Sequence, residues 1–393
     1  MTGPVGWLAA LHRSAADRER AGLRRALRPR PPGDATVDLA GNDYLGLARH
    51  PVVLGEAERA LRGYGLGATG SRLVRGSTDA HRQLEDGLAD WLGTESALVF
   101  SSGYLANLAA VRALAGPGTV IVSDAHAHAS LIDGCRISRA PVTVSRHADP
   151  AAVAEILAGY QPADGAASDP GDPGYRALVV TESVFSVDGD LAPLGELHAV
   201  CRRYGALLLV DDAHALGVLG PRGAGGVAAA GLAGQPDVVV TATLSKAFGA
   251  AGGLVAGPRP LIEHLVDTGR TFIFDTALPP AVAAGALAAL RLLRDADAAR
   301  AELVDRATLL VKRMVDAGLE VTQPAGGIIS VTAPSPQAAV AWAAACRERG
   351  VAVGCFRPPS TPDSRARLRL TVNTGVPRDD FLRALDVIVE CAP

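Results

Sequence analysis

The chain of 393 residues is short of lysine: of its 38 basic residues only two, Lys246 and Lys312, are lysines. Arginine carries the cationic role almost everywhere, so a lysine kept at a given position points to chemistry that a guanidinium cannot perform. Aromatic residues are also sparse at 4%, yet 48% of the chain is hydrophobic, so a large core divided over more than one domain is expected. No charge of one sign dominates. The 41 acids and 38 bases leave a formal net charge of -3, and their mixing along the chain argues against a dedicated nucleic-acid surface.

Other absences narrow the field further. Five cysteines (Cys135, Cys201, Cys346, Cys355 and Cys391) show no CxxC or Cys/His ligand spacing, and an odd number fits no disulfide framework. They are expected as reduced thiols in a cytoplasmic protein. The longest apolar run, "AVAAGALAAL" from Ala281, is too short to cross a bilayer. The first residues, "MTGPVGWLAALHRSAADRER", lack the cationic and apolar regions of a signal peptide, so no membrane partner is expected. A G-x-S-x-G elbow is missing, which counts against a serine hydrolase. No G-x-G-x-x-G follows the first apolar run, which counts against a plain nucleotide-binding protein.

What the chain does contain is a rhythm. The runs "SALVF" (96), "TVIVS" (119), "VTVS" (142), "ALVVT" (177), "ALLLV" (206), "DVVVT" (237) and "GLVAG" (253) alternate with helical stretches. They are apolar throughout, the pattern of strands buried on both faces, so a mostly parallel seven-stranded sheet between helix layers is predicted. An amphipathic helix is expected over 5–28, and Leu84, Leu88, Trp91 and Leu92 mark another. A Pro/Gly/Asp loop is expected over 161–174. Beyond about residue 280 the pattern becomes that of a smaller α+β unit. The expected division is an N-terminal arm over 1–48, a large α/β domain over 49–279 and a small domain over 280–393.

Ligands of parallel α/β sheets bind beyond the carboxyl ends of the strands, which directs attention to the residues after each run. "SSGYLAN" offers a serine-glycine turn into a helix, suited either to simple capping or to an anion at the helix N-terminus. "DAHAHASL" places His126 and His128 at i, i+2 without a Glu or Cys partner, so no metal is expected; either a structural histidine or an imidazole laid over a flat ring fits. "ESVFSVDGD" brings Glu182, Ser183, Ser186 and Asp188 into a turn. "DDAHALG" sets Asp211 directly after buried aliphatics, where a carboxylate needs a cationic partner or strong hydrogen bonds. "TLSKAFGAAGG" puts Lys246 at the same edge among glycines, as a nucleophile or base. An anion cup, a carboxylate and an isolated lysine are together what pyridoxal 5′-phosphate requires.

In order, "NDYLGL", "SSGYLAN", "HASL", "TESVFSVDGDLAPL", "VDDAHALGVLG", "TLSKAFG", "FIFDTALPP" and "RLRLTVN" span almost the whole chain. By these motifs the sequence resembles the α-oxoamine synthases, acyltransferases that depend on pyridoxal phosphate and have the type I fold. The resemblance implies that Lys246 is the Schiff-base lysine and proton shuttle, that Asp211 pairs with the pyridine nitrogen, and that His214 contacts the ring hydroxyl. It implies that His128 stacks on the ring, that Gly103 and Tyr104 open the helix beside the cofactor, and that Ser186 and Thr243 give hydrogen bonds. Thr276 would reach the phosphate of a partner subunit, so a homodimer with shared active sites is implied. Asp275, where Ser or Thr is usual, is expected to point away from the phosphate. For the substrates, the resemblance implies that Asn42 and Arg369 hold the amino-acid carboxylate, and that Arg24 and Ser360 meet the acyl chain.

Within the family, "GATGSRLVRGST" is most similar to members that join L-alanine to a pimeloyl thioester, carried on coenzyme A or an acyl carrier protein. The alternatives are a synthase joining glycine to acetyl- or succinyl-CoA, and a cofactor-binding protein without synthase activity.

Overall fold

All seven apolar runs become strands of one sheet. The computed structural model describes residues 4–116, 118–160, 176–361 and 363–393, and the loop expected at 161–174 lies outside them. Val37–Leu39 forms β1 of a separate sheet, and the seven runs are β2 (Ser96–Phe100), β3 (Thr119–Asp124), β4 (Val142–Ser145), β5 (Arg176–Glu182), β6 (Leu207–Asp211), β7 (Val238–Thr243) and β8 (Gly253–Gly257). Their order is β2-β8-β7-β6-β5-β3-β4. β8 is antiparallel to both neighbours, so the other six strands share one direction and β8 alone runs back.

The sheet belongs to a unit of residues 42–186 and 190–304. Its core joins Phe100, Ile121, Val180, Leu209, Val239 and Val255 to Ala106, Ala110 and Leu131 of the overlying helices Gly103–Leu114 and Ala129–Ser138. Each such aliphatic or aromatic side chain removed from water contributes about 1.5–3 kcal/mol. Small alanines on the helix face let backbone come close to the sheet. Double burial fails at β4, where Val142 and Val144 are exposed, because this strand is the sheet's edge.

The second unit comprises residues 1–41, 187–189 and 305–393. Its sheet has the order β1-β10-β11-β9, with β9 at Ile328–Thr332, β10 at Val351–Phe356 and β11 at Arg367–Thr371. β1 pairs in parallel with β10, and the other two contacts are antiparallel. Trp342 donates its indole N–H to Ile388 O at 2.8 Å, tying helix Pro336–Glu348 to helix Arg378–Glu390.

Two boundaries differ from the sequence reading. The first helix runs Pro4–Arg20 instead of reaching residue 28. Gly22 takes φ +69°, and Leu23 N returns to Arg18 O at 2.7 Å, which closes the helix end before the arginine run continues. The compact units divide at 304/305, not at 279/280, because helix Pro280–Arg294 packs along helices Pro51–Tyr64 and Asp79–Leu92. The three residues 187–189 join the second unit because Ser330 Oγ donates to Val187 O at 2.6 Å and Ala325 N donates to Gly189 O at 3.1 Å.

Candidate active site

In the larger unit, register aligns the carboxyl ends of the central strands: Glu182 of β5 lies beside Asp211 of β6, and Asp211 beside Thr241 of β7. Asp211 is buried, and two donors orient it. Asn107 Nδ2 donates to Oδ2 at 2.6 Å, and Ala213 N donates to Oδ1 at 3.0 Å. The same Asn107 amide donates to Ser130 Oγ at 2.8 Å, and Ser130 Oγ lies 2.7 Å from His128 Nδ1. Ser130 N also donates to that nitrogen at 3.2 Å, so His128 caps helix Ala129–Ser138. Burial pushes the His128 imidazole down from its ordinary value, with Asp211 opposing the shift and Lys246 adding to it. The His128 imidazole is thereby linked to the carboxylate through Asn107 and Ser130.

Lys246 follows β7 and is half-buried, with Nζ 2.9 Å from His214 Nε2. The other nitrogen of that ring, Nδ1, is 2.7 Å from the hydroxyl of Tyr44, which is fully buried. The turn after the lysine closes by Gly249 N donating to Lys246 O at 2.8 Å, with Gly249 at φ +61°. A side chain at Gly249 would collide with the backbone of Leu47 and Ala48, so the lysine loop and the "NDYLGLA" segment are in backbone contact.

The third element is the N-terminus of helix Gly103–Leu114. Ser102 Oγ accepts from Leu105 N at 3.2 Å. Gly253 of β8 passes so close that a Cβ there would overlap Gly103 N and Ser102 O. A Cβ on Gly103 would lie 2.9 Å from Thr243 Cβ. Thr243 Oγ1 donates to Gly252 O at 2.9 Å and accepts from Ser245 N at 3.2 Å. Tyr104 donates its hydroxyl to Asp133 at 2.5 Å, and this bond holds its phenol above the usual value. Asp275 accepts from the Ser101 hydroxyl, and Thr276 next to it is exposed.

Around this edge stand groups that the sequence reading leaves without a partner. Glu182 is fully buried. Burial first, and the charge of Asp211 second, raise its carboxyl well above the usual range. Asp212 is raised to about 6 by burial, against hydrogen bonds from Ser183, Gly226 N and Val227 N. His147 bridges Asp124 (2.9 Å) and Asp190 (2.8 Å), and His126 stacks on it instead of meeting His128 around a metal.

The remaining expected residues fall as follows. Ser186 is half-buried just after β5, and Asn42, also half-buried, opens the larger unit with its carbonyl accepting from Tyr44 N at 2.9 Å. Arg24, Ser360 and Arg369 belong to the second unit. Arg369 is buried in β11, its guanidinium 5.3 Å from the Phe356 ring centre. Arg24 is exposed and paired with Glu19, whereas the adjacent Arg25 donates to Ser360 Oγ at 2.8 Å.

Asn107 and Tyr44 are the residues that sequence reasoning does not single out. The signal for Asn107 is its position one helical turn after Gly103, on the same face; Tyr44 lies inside a quoted motif but carries no chemistry of its own there. The geometry suits an aldehyde-bearing pyridine phosphate: an amine at Lys246, a doubly oriented carboxylate at Asp211, an imidazole between amine and phenol, and a helix N-terminus opened by Gly103 and Gly253.

Three likenesses bear on this geometry. The family described as aminotransferase class I and II matches residues 34–388. The 8-amino-7-oxononanoate synthase of Mycolicibacterium smegmatis is 53% identical over 388 residues, 98% of this chain and 96% of the relative. That of Mycolicibacterium gilvum is 51% identical over 387 residues, covering 98% and 97%. Among solved structures, a serine palmitoyltransferase from S. paucimobilis with bound PLP superposes with a TM-score of 0.90 at 30% identity, covering 99% of this chain and 98% of that one. Likeness of shape and likeness of sequence thus point to two different enzymes on one fold.

Proposed function

The chain belongs to the class I and II aminotransferase family and, within it, to the 8-amino-7-oxononanoate synthases, and from this we propose that it joins L-alanine to a pimeloyl thioester with loss of carbon dioxide. The product, 8-amino-7-oxononanoate, is an early intermediate of biotin biosynthesis. The observation that carries the reading is Lys246 Nζ at 2.9 Å from His214 Nε2, on the same sheet edge as the oriented Asp211, in a chain with only two lysines.

The cofactor, pyridoxal 5′-phosphate, supplies an electron sink for the charge left at the amino acid's Cα. Lys246 would hold it through Nζ, and its amine would move the proton from and back to that Cα. Asp211 holds a proton at the ring nitrogen, and Asn107 keeps the carboxylate aimed there. The raised carboxyl of Glu182 next to it lessens the repulsion that a second charged carboxylate would bring. His214 orients Nζ and the ring hydroxyl, and His128 covers one ring face. Gly103, Tyr104, Ser186 and Thr243 bind the ring and its phosphate, with Thr276 serving the phosphate of a partner subunit in a homodimer. Asn42 and Arg369 hold the alanine carboxylate. Arg24, with its neighbour Arg25 on Ser360, meets the acyl thioester, whose carrier is coenzyme A or a carrier protein. The proposed setting is cytoplasmic; separately, among the described residues no helix is long and apolar enough to cross a membrane.

The close superposition on a serine palmitoyltransferase favours a second reading, condensation of L-serine with a long-chain acyl thioester. A panel of alanine, glycine and serine against acetyl-, succinyl-, pimeloyl- and palmitoyl-CoA, read by mass spectrometry, separates the two. The expected product arises only from alanine and the pimeloyl thioester. A product from serine and palmitoyl-CoA, or from glycine and a short thioester, would overturn the assignment, and no product at all from a yellow, cofactor-loaded protein would leave only cofactor binding.

A further inference from the structure

Lys246, His214 and Tyr44 form a hydrogen-bonded row: Nζ to Nε2 at 2.9 Å, Nδ1 to the phenol oxygen at 2.7 Å. A neutral imidazole carries one proton for two nitrogens, so whatever Nε2 does for the lysine, Nδ1 must do the opposite for its own neighbour. When Nζ is an ammonium it can only donate; Nε2 then accepts, and Nδ1–H needs an acceptor. When Nζ has lost its proton, Nε2–H can donate to it, and the bare Nδ1 needs a donor. A carbonyl or carboxylate beside Nδ1 would allow only the first state, and a backbone N–H only the second. A hydroxyl serves both, because it accepts with its oxygen and donates with its hydrogen.

We propose that Tyr44 is a positioning residue that keeps both tautomers of His214 hydrogen-bonded, so that His214 can face Lys246 in either protonation state. The inference rests on Lys246 being the cofactor lysine. Both rings are shielded from solvent: Tyr44 is 0% exposed and His214 5%. The segment is also held in place. Asp43 accepts from Leu47 N at 2.8 Å and from Ala48 N at 3.1 Å, and the glycine turn that closes the lysine loop abuts these same residues. The oxygen of Tyr44 is therefore fixed relative to the loop that carries Lys246. The other ionisable groups of this cluster are Asp211, His128 and Glu182, the last two sensing the Lys246 charge directly.

The test is Tyr44→Phe in the cofactor-loaded enzyme, which removes one oxygen and no volume elsewhere. The readout is the pH midpoint of the visible absorbance of the lysine-bound cofactor, alongside kcat and KM. The expected result is a midpoint moved by about 0.5 unit or more, a kcat lowered about tenfold, and a KM for alanine within about twofold. In a His214→Asn background, Tyr44→Phe should add less than about a twofold effect, because a residue acting through another has nothing left to act on. An unchanged midpoint, or the same loss with and without His214, would sink the proposal. Incorporation of 3-fluorotyrosine at position 44 keeps the side chain's shape while acidifying the phenol, and should move the midpoint without altering the unfolding temperature. If the cofactor reading itself were at fault, the wild-type protein would show no lysine-bound absorbance to titrate, which separates that failure from this one.

Discussion

The rings of His126 and His147 stack at 3.7 Å with 14° between their planes, and the edge of Phe185 closes on them. The charge sits on His147. Burial works against it, but hydrogen bonds to Asp124 and Asp190 outweigh burial and bring its imidazolium up to about 9. Asp124 also accepts from His126 N at 2.7 Å and Ala148 N at 2.8 Å, so one imidazolium paired with two carboxylates ties the ends of β3, β4 and the turn after β5 together.

A folded-state pKa raised from 6.5 to about 9 stabilises the protein fully below the unfolded value and loses that stabilisation as pH rises through about 9. Urea unfolding of wild type and His147→Gln should therefore differ by roughly 2 kcal/mol near pH 6, after allowing for the partial exposure of Asp190. The two curves should converge above about pH 9. A difference independent of pH would mean that the histidine acts by packing alone.

Asn107 is the donor whose removal isolates Asp211. Asn107→Ala leaves a buried carboxylate with one oriented donor fewer, a loss of about 1–3 kcal/mol, or about five- to 150-fold. It should appear as weaker pyridoxal-phosphate binding to the cofactor-free protein, measured by absorbance titration. Asn107→Asp should be worse, since it sets a second carboxylate against the first.

The two glycines under the helix N-terminus should separate by severity. At Gly103 a Cβ would meet Thr243 Cβ at 2.9 Å, a lesser overlap than the closer backbone contacts at Gly253, so Gly103→Ala should fold and bind cofactor more weakly. At Gly253 the conflict is with backbone atoms of Ser102 and Gly103, so Gly253→Ala should cost over about 2 kcal/mol and lower soluble yield. Equal behaviour of the two in thermal melts would contradict this account of the cradle.

Lys246→Arg keeps a cation and loses the chemistry. Borohydride reduction followed by peptide mass mapping should attach cofactor to Lys246 in wild type and to neither Lys246→Arg nor Lys246→Ala. Turnover in both variants should fall by more than about a thousandfold, because the guanidinium does not give up its proton near neutral pH. Substantial turnover in Lys246→Arg would remove Lys246 from the proton transfer.

The seven-stranded sheet was legible because strands covered on both faces read as unbroken aliphatic runs, and five of the seven runs, all but "VTVS" and "GLVAG", are followed within a few residues by a candidate site residue. Direction was not legible: nothing in "GLVAG" says that β8 runs against its neighbours. Exposure of β4 was missed for a related reason, since "VTVS" does not reveal that it lies at an edge. Lys246 and Asp211 stood out as costly residues in cheap surroundings. Asn107 and Tyr44 did not, because a buried amide or phenol shows its purpose only once its acceptor, distant in sequence, is in place. Arg24 and Arg25 illustrate the limit of register: adjacent and chemically equal in the sequence, one pairs with Glu19 and the other reaches Ser360.

The parallel pairing of β1 with β10 joins Val37 to Val351. During synthesis the first strand of this sheet therefore waits for roughly 300 further residues before its partner emerges, whereas each strand of the larger sheet waits far less. Arg25 likewise meets Ser360 only after some 335 further residues have been made. A chain cut short before β10 therefore has every strand of the larger sheet in hand, the edge that bears Lys246 included, while β1 still lacks its partner.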